Sequence, residues 1–423
     1  MLPPPSERRS GDRLRWIAVV AATMVLLGAI GALATVGFIK LLEWLIDLVW
    51  KDLPDAIGAD AGNWEFILPV CTIGGLVAGL CARFLGEWPK DLQSALADFR
   101  RDRAFDYRHL PNSMVTALAA LTFGAALGPE AALVALVGGL ASWISRVIGV
   151  GARAAVSLDY VGVVAALGTL FGTAGAALLP LDEGEVRRQP RRLVVVALGV
   201  VAAGAGALTF SVLSPGDEYF DYTFRPYDFA VTDLLWAAAA TVAGALAAVA
   251  YLLVKKAVEI RAARLATRPV VRATVGGVVL GVLASVSALV LFSGHDGIQT
   301  LIDDTDASAL YLVGIALAKL SATALLLATG WRGGRFFPLM FAGAGAGLAF
   351  AAMLPEDVSM VALAGAMTAA IAVLIRRPLA AGLLMLFVFP HDLYPTVVVA
   401  TLLGTALGHV LVRRLPALDP VEA

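Results

Sequence analysis

Uncharged stretches recur along the whole chain, at 16–39, 66–82, 110–129, 131–145, 160–181, 193–216, 234–254, 273–294, 336–355, 358–375, 378–390 and 393–412. A helix that simply crosses a bilayer needs about 20 apolar residues. Several of these runs reach that length, but 131–145 and 378–390 are too short, and many are cut by glycine or proline. Short and broken apolar segments predict helices that stop inside the bilayer and border a cavity. The expected fold class is therefore an all-α polytopic membrane protein of broken and tilted helices. The first run is long, lacks a clear small-residue cleavage site and is followed by more spans, so it reads as a membrane helix and not as a cleaved leader.

Composition sharpens this picture. Hydrophobic residues make up 59% of the chain and charged residues only 15%, which belongs to the membrane class. The net charge of −1 implies no nucleic-acid partner. Cys71 and Cys81 share one apolar segment and read as small membrane residues, not as a disulfide or a nucleophile. His109, His295, His391 and His409 are dispersed near segment ends, so no metal and no cofactor is expected. Basic loops at 8–15, 100–108, 187–192 and 255–272, with Arg413 and Arg414 at the end, alternate with acidic loops at 47–60, 217–221 and 303–306. The excess of basic residues on cytoplasmic loops places both termini in the cytoplasm, as a tail at 1–15 and a short tail at 415–423.

Charge patterning also singles out one residue. Glu130 is flanked by the uncharged stretches 110–129 and 131–145, and it follows Leu127-Gly128-Pro129. A carboxylate at membrane depth is expensive. Gly-Pro before it marks a helix start, where free N–H groups and the positive end of the dipole attract anions. Glu130 can occupy such a site itself and yield it to a real anion, which would make it a gate. The bland alternative is a helix-terminal carboxylate that satisfies its own backbone.

A second break occurs at a matching place in the other half. Gly330-Trp331-Arg332-Gly333-Gly334-Arg335-Phe336-Phe337-Pro338 opens a helix through Gly343 and Gly345, as Phe123 to Glu130 opens one through Gly138 and Gly139. Two repeats of odd span number, at 16–215 and 226–414, would be inverted in the membrane and point their broken helices at one midplane site. The plain alternative is that glycine-rich spans are common because small residues let helices approach.

These residues resemble a known family. Gly334-Arg335-Phe336-Phe337-Pro338 looks like the G-x-F-x-P signature of the CLC chloride channels and proton-coupled transporters. Lys319-Leu320 lies upstream, and 362–366 through Ile375-Arg376-Arg377-Pro378-Leu379 follows in the family's manner. Leu127-Gly128-Pro129-Glu130 is similar to a degraded G-R-E-G-P motif, with Glu130 on the gating glutamate. The resemblance spans about residues 16–414 and implies a CLC-like inverted repeat, a homodimer with one pore per subunit, and an inorganic anion, chloride first, as cargo. It also implies anion contacts at Gly128, Pro129, Gly334, Arg335, Phe336 and Phe337.

The chain departs from the pattern in several places. Pro129 replaces the motif arginine, and Ala131-Ala132 replaces the Gly-Pro after the glutamate. The first family motif survives only as Gly86-Glu87-Trp88-Pro89-Lys90, without its anion-binding serine, and Glu87 there would repel anions unless it points away. Leu418 stands where the family has an inner-gate tyrosine. For the inner proton-transfer glutamate the candidates are Asp182 and Glu183, which also read as a solvated turn. Lys319 interrupts an apolar segment and is expected to attract anions, pair with Asp159 or snorkel. Arg332 is expected to face a water-filled vestibule, and Arg335 stands where the family position is usually apolar; the bland alternative is a charge that reaches the interface.

Three functional classes follow. The first is an anion channel or proton/anion antiporter in the plasma membrane, gated by Glu130. The second is a membrane scaffold or sensor that kept the fold and lost transport. The third, an intramembrane enzyme, lacks any converging nucleophile, base or metal set, so the chain is expected not to be an enzyme. Chloride and fluoride stay open as cargo because the central motif is abnormal.

Overall fold

The computed structural model describes residues 10–90, 94–95, 106–147, 160–161, 163–164, 167–169, 192–214, 220, 222–354, 358–415 and 418. Among them the chain is almost wholly helical. In chain order the helices are α1 (Ser10–Asp47), α2 (Leu53–Ile57), α3 (Trp64–Leu85), α4 (Leu110–Thr122), α5 (Glu130–Val147), α6 (Arg192–Leu213) and α7 (Asp233–Ala262). They continue as α8 (Pro269–Ala284), α9 (His295–Asp303), α10 (Ala309–Thr329), α11 (Phe336–Ala351), α12 (Ser359–Ile375), α13 (Pro378–Val388) and α14 (Tyr394–Arg414). Among the described residues, seven helical segments are long and apolar enough to cross a membrane.

Two of the shorter apolar helices, α11 and α12, lie inward. Almost every side chain of α11 and α12 is buried, Phe337, Met340 and Phe341 on one and Leu363 and Met367 on the other among them. A helix that is apolar all round must be covered all round. Helices α7, α10, α12 and α14 supply that cover. The outer helices instead present large apolar residues outward: Leu26 and Leu33 on α1, Leu208 and Val212 on α6, Leu246 on α7 and Leu402 on α14. In a bilayer that exposure faces hydrocarbon.

Small residues set how closely the halves approach. Helices α3 and α8 form an extensive helix–helix contact. A Cβ added to Gly75 would meet the Ala273 carbonyl oxygen at 2.6 Å, and one on Gly277 would collide with the Cys71 carbonyl. Only the missing side chains let these backbones touch. The apolar run 273–294 is not one helix. It turns at Ser285 to Ser287 into a 3-10 turn, Ala288–Val290, and then into α9. Run length alone could not show that bend.

Candidate functional site

The first break runs from the end of α4 to the start of α5. Buried backbone at membrane depth needs partners for its carbonyls, and the break finds them at long range. Trp50 Nε1 donates to Thr122 O at 2.9 Å, the Phe292 amide to Gly124 O at 3.0 Å, and Thr323 Oγ1 to Ala126 O at 2.8 Å. The chain then straightens through Gly128-Pro129. Helix α5 begins at Glu130, with Leu133 N–H donating to Pro129 O at 3.0 Å.

The second break follows α10. Gly330 ends that helix with φ +99°, and Trp331 N–H reaches back to Leu326 O at 3.0 Å. The Trp331 indole is fully buried and donates to Ala273 O at 3.0 Å. Gly334 and Arg335 then lead into α11 at Phe336.

The two breaks meet. Gly128 N–H donates to Gly334 O at 2.8 Å, and Gly334 N–H to Gly128 O at 2.7 Å, an antiparallel bridge. Beside the bridge, Phe336 N–H donates to Glu130 Oε1 at 2.7 Å. Glu130 has no exposed surface, and its Oε2 lacks a hydrogen-bond partner. A Cβ on either Gly128 or Gly334 would fall on that carboxylate, so the glycine pair forms its cradle. An amide at a helix N-terminus, in a dry site, is a strong anion donor; here the protein's own anion holds it.

Of the residues expected as anion contacts, Gly128, Gly334 and Phe336 come together directly around the expected gate, Glu130. Pro129 lines a cavity of about 620 Å³ with Glu43, Asp47, Phe292, Ser293 and His295. Arg335 is only 6% exposed, which contradicts the alternative of a charge that reaches the interface. With Glu130, Phe336, Leu339 and Ile371 it lines a cavity of about 20 Å³, room for about one water-sized occupant. Phe337 is fully buried and packs edge-on against Phe336, with ring centroids 5.6 Å apart. Asp182 and Glu183 lie outside the described residues, as does Asp159. Leu418 is buried and belongs to the apolar core.

Three charged residues behave differently from expectation. Lys319 is fully buried and does not snorkel; the partner expected for it, Asp159, lies outside the described residues. Its Nζ donates to the carbonyls of Leu289, Val290, Leu291 and Phe292 at 3.0, 3.0, 2.7 and 2.8 Å, with the Phe341 ring centroid 5.3 Å away. It ties together the carbonyls of the turn between α8 and α9. Four converging carbonyls cannot be read from sequence; a lone lysine in the apolar stretch 307–331 is the only signal. Arg332, expected to face open water, binds Glu87, and Arg272 binds the same carboxylate. Glu87 therefore stands neutralised by two arginines.

Comparison with known proteins decides the family. A family model, voltage gated chloride channel, matches residues 71–409. The chain belongs to this CLC family. It is a multi-pass integral membrane protein of an anion-transporting family. Among curated relatives, YfeO of Escherichia fergusonii, provisionally named an ion-transport protein, is 27% identical over 373 residues, 85% of this chain and 84% of YfeO. YfeO of Escherichia coli O7:K1 matches equally. Two solved CLC structures share the fold at a TM-score of 0.77. One is a CLC-type fluoride/proton antiporter, 16% identical, covering 98% of this chain and 99% of its own. The other is a slow cyanobacterial Cl-/H+ antiporter, 15% identical, covering 96% and 99%.

Proposed function

We propose that this CLC protein moves a chloride-like inorganic anion across the plasma membrane along a path gated by Glu130. The hydrogen bond from Phe336 N–H to Glu130 Oε1 carries this reading. A carboxylate on an amide that would suit a mobile anion is a closed gate, and its departure or protonation frees the donor. The likeness to a fluoride/proton and a Cl-/H+ antiporter supports coupling to protons, with Asp182 and Glu183 as inner transfer candidates. The basic loops support cytoplasmic termini, and the family resemblance supports a homodimer of inverted repeats at 16–215 and 226–414. The role is transport and not catalysis.

The test is flux from liposomes holding the purified protein, under chloride, fluoride and nitrate gradients, with proton movement followed at the same time. Anion release above empty liposomes is expected. Its absence for all three anions, with folded protein in the bilayer, would count for a scaffold that kept the fold and lost transport.

A further inference from the structure

A second carboxylate also sits on donors that would suit an anion. Glu87 lies in the turn after α3. Arg272 is in the first turn of α8, and Arg332 is in the break that leads to Gly334. Glu87 Oε1 accepts from Arg272 Nη2 at 2.6 Å, and Oε2 from Arg332 Nη2 at 2.5 Å. These segments come from distant parts of the chain, so tertiary structure alone brings them together.

The burial is lopsided. The two arginine side chains are 13% and 18% exposed, whereas the Glu87 side chain is 55% exposed. The cations are the built part and the carboxylate is the part that faces solvent. Arg272 is fixed further: its Nε donates to Thr329 O at 3.2 Å, and its Nη2 lies 2.8 Å from where a Cβ on Gly330 would stand. A purely structural triad gains little from such exposure, because solvent screens a pair that one partner holds in water. Two fixed guanidiniums in a recess, by contrast, are a strong donor set for small anions.

The place matters as much as the chemistry. Arg332 precedes by two residues Gly334, whose backbone cradles the Glu130 carboxylate. We propose that Arg272 and Arg332 form a second binding site for small inorganic anions, at the start of the segment that leads to Gly334, with Glu87 as its built-in competitor. The proposal rests on the reading of this chain as an anion transporter. Two tethered carboxylates then each cover a donor set that an arriving anion must take over.

Burial pushes the Glu87 carboxyl up, but the hydrogen bond from Arg272 and the charges of Arg332 and Arg272 outweigh it and hold the group below its ordinary value. Glu87 therefore stays ionised near neutrality and leaves by displacement. The stabilisation from a depressed carboxylate is present above the ordinary value of about 4.3 and is lost as pH falls through the lower folded value. The competitor should thus be intact at any pH where flux is measured.

The test is anion binding to detergent-purified protein, by calorimetry and by anion-dependent thermal shift, with sodium nitrate and chloride as probes and gluconate as control. Glu87→Gln keeps the shape and removes the charge, so nitrate affinity should rise by about threefold to tenfold, as loss of a competing ion pair allows. Adding Arg332→Gln should cancel the gain. Glu130→Gln, run in parallel, reports on the Phe336 amide site separately. A gain for Glu130→Gln with none for Glu87→Gln would leave the gate standing and reduce the arginine pair to a structural triad, overturning the proposal. A gain for Glu87→Gln alone would support the arginine site and count against the gate. Should Glu87→Gln not fold, Arg332→Gln alone carries the test: weaker nitrate binding supports the site, and unchanged binding overturns it.

Discussion

At the residue scale, the carboxylate of Glu130 and the two glycines behind it form one unit. Because Gly128 and Gly334 leave room for the carboxylate and bridge each other, backbone shape should matter more than side-chain chemistry at the start of α11. Gly334→Val places a branched side chain on the carboxylate's position. It should lower anion flux by about tenfold or more, a barrier increase of about 1.4 kcal/mol. Phe336→Leu leaves the donating amide in place and should stay within about twofold, its cost being only repacking. Equal flux in the two variants would argue against an amide-lined site. Lys319 makes a sharper stability prediction. Lys319→Met strands four carbonyls and should cost about 3 kcal/mol or more, given the penalty for each buried acceptor left unpaired. A melting curve in detergent checks it, and an unchanged midpoint would contradict the cage as a source of stability.

At the element scale, much of the architecture is legible in the residues and some is not. Glycine and proline at 128, 129, 333 and 334 mark both breaks, because only permissive or pre-set backbone starts a helix inside an apolar run. The inward place of α11 and α12 follows from their lack of any polar face. Three features are not legible. The bend at 285–287 within the run 273–294 precedes a turn whose carbonyls, Leu289 to Phe292, are held by Lys319, a contact across about 30 positions. The pairing of Gly128 with Gly334 and the meeting of Glu87 with Arg272 and Arg332 are long-range, and nothing local encodes them. The α3–α8 contact is only half legible, since glycines advertise close approach but not the partner. That contact gives a test: Gly277→Leu would drive a side chain into the Cys71 carbonyl and should destabilise the protein by roughly 1–3 kcal/mol, the usual cost of overpacking. An unaffected thermal midpoint would mean that the helices can move apart freely.

At the scale of the whole molecule, an apolar belt surrounds a core in which broken helices converge. Hydrocarbon covers the outward residues of α1, α6, α7 and α14, and among the described residues the cavities around Pro129, Glu130 and Arg335 lie inside that belt. The central claim is that Glu130 competes with the anion for the Phe336 amide. The most direct measurement is anion flux through Glu130→Gln in liposomes across a range of pH, with proton movement recorded alongside. A neutral amide side chain cannot compete through charge or change its protonation. The account predicts that the pH dependence of anion flux disappears, that any coupled proton movement is lost, and that anion leak persists. Anion flux and a pH profile identical to those of the unaltered protein would show that Glu130 only caps the start of α11 and would contradict the account.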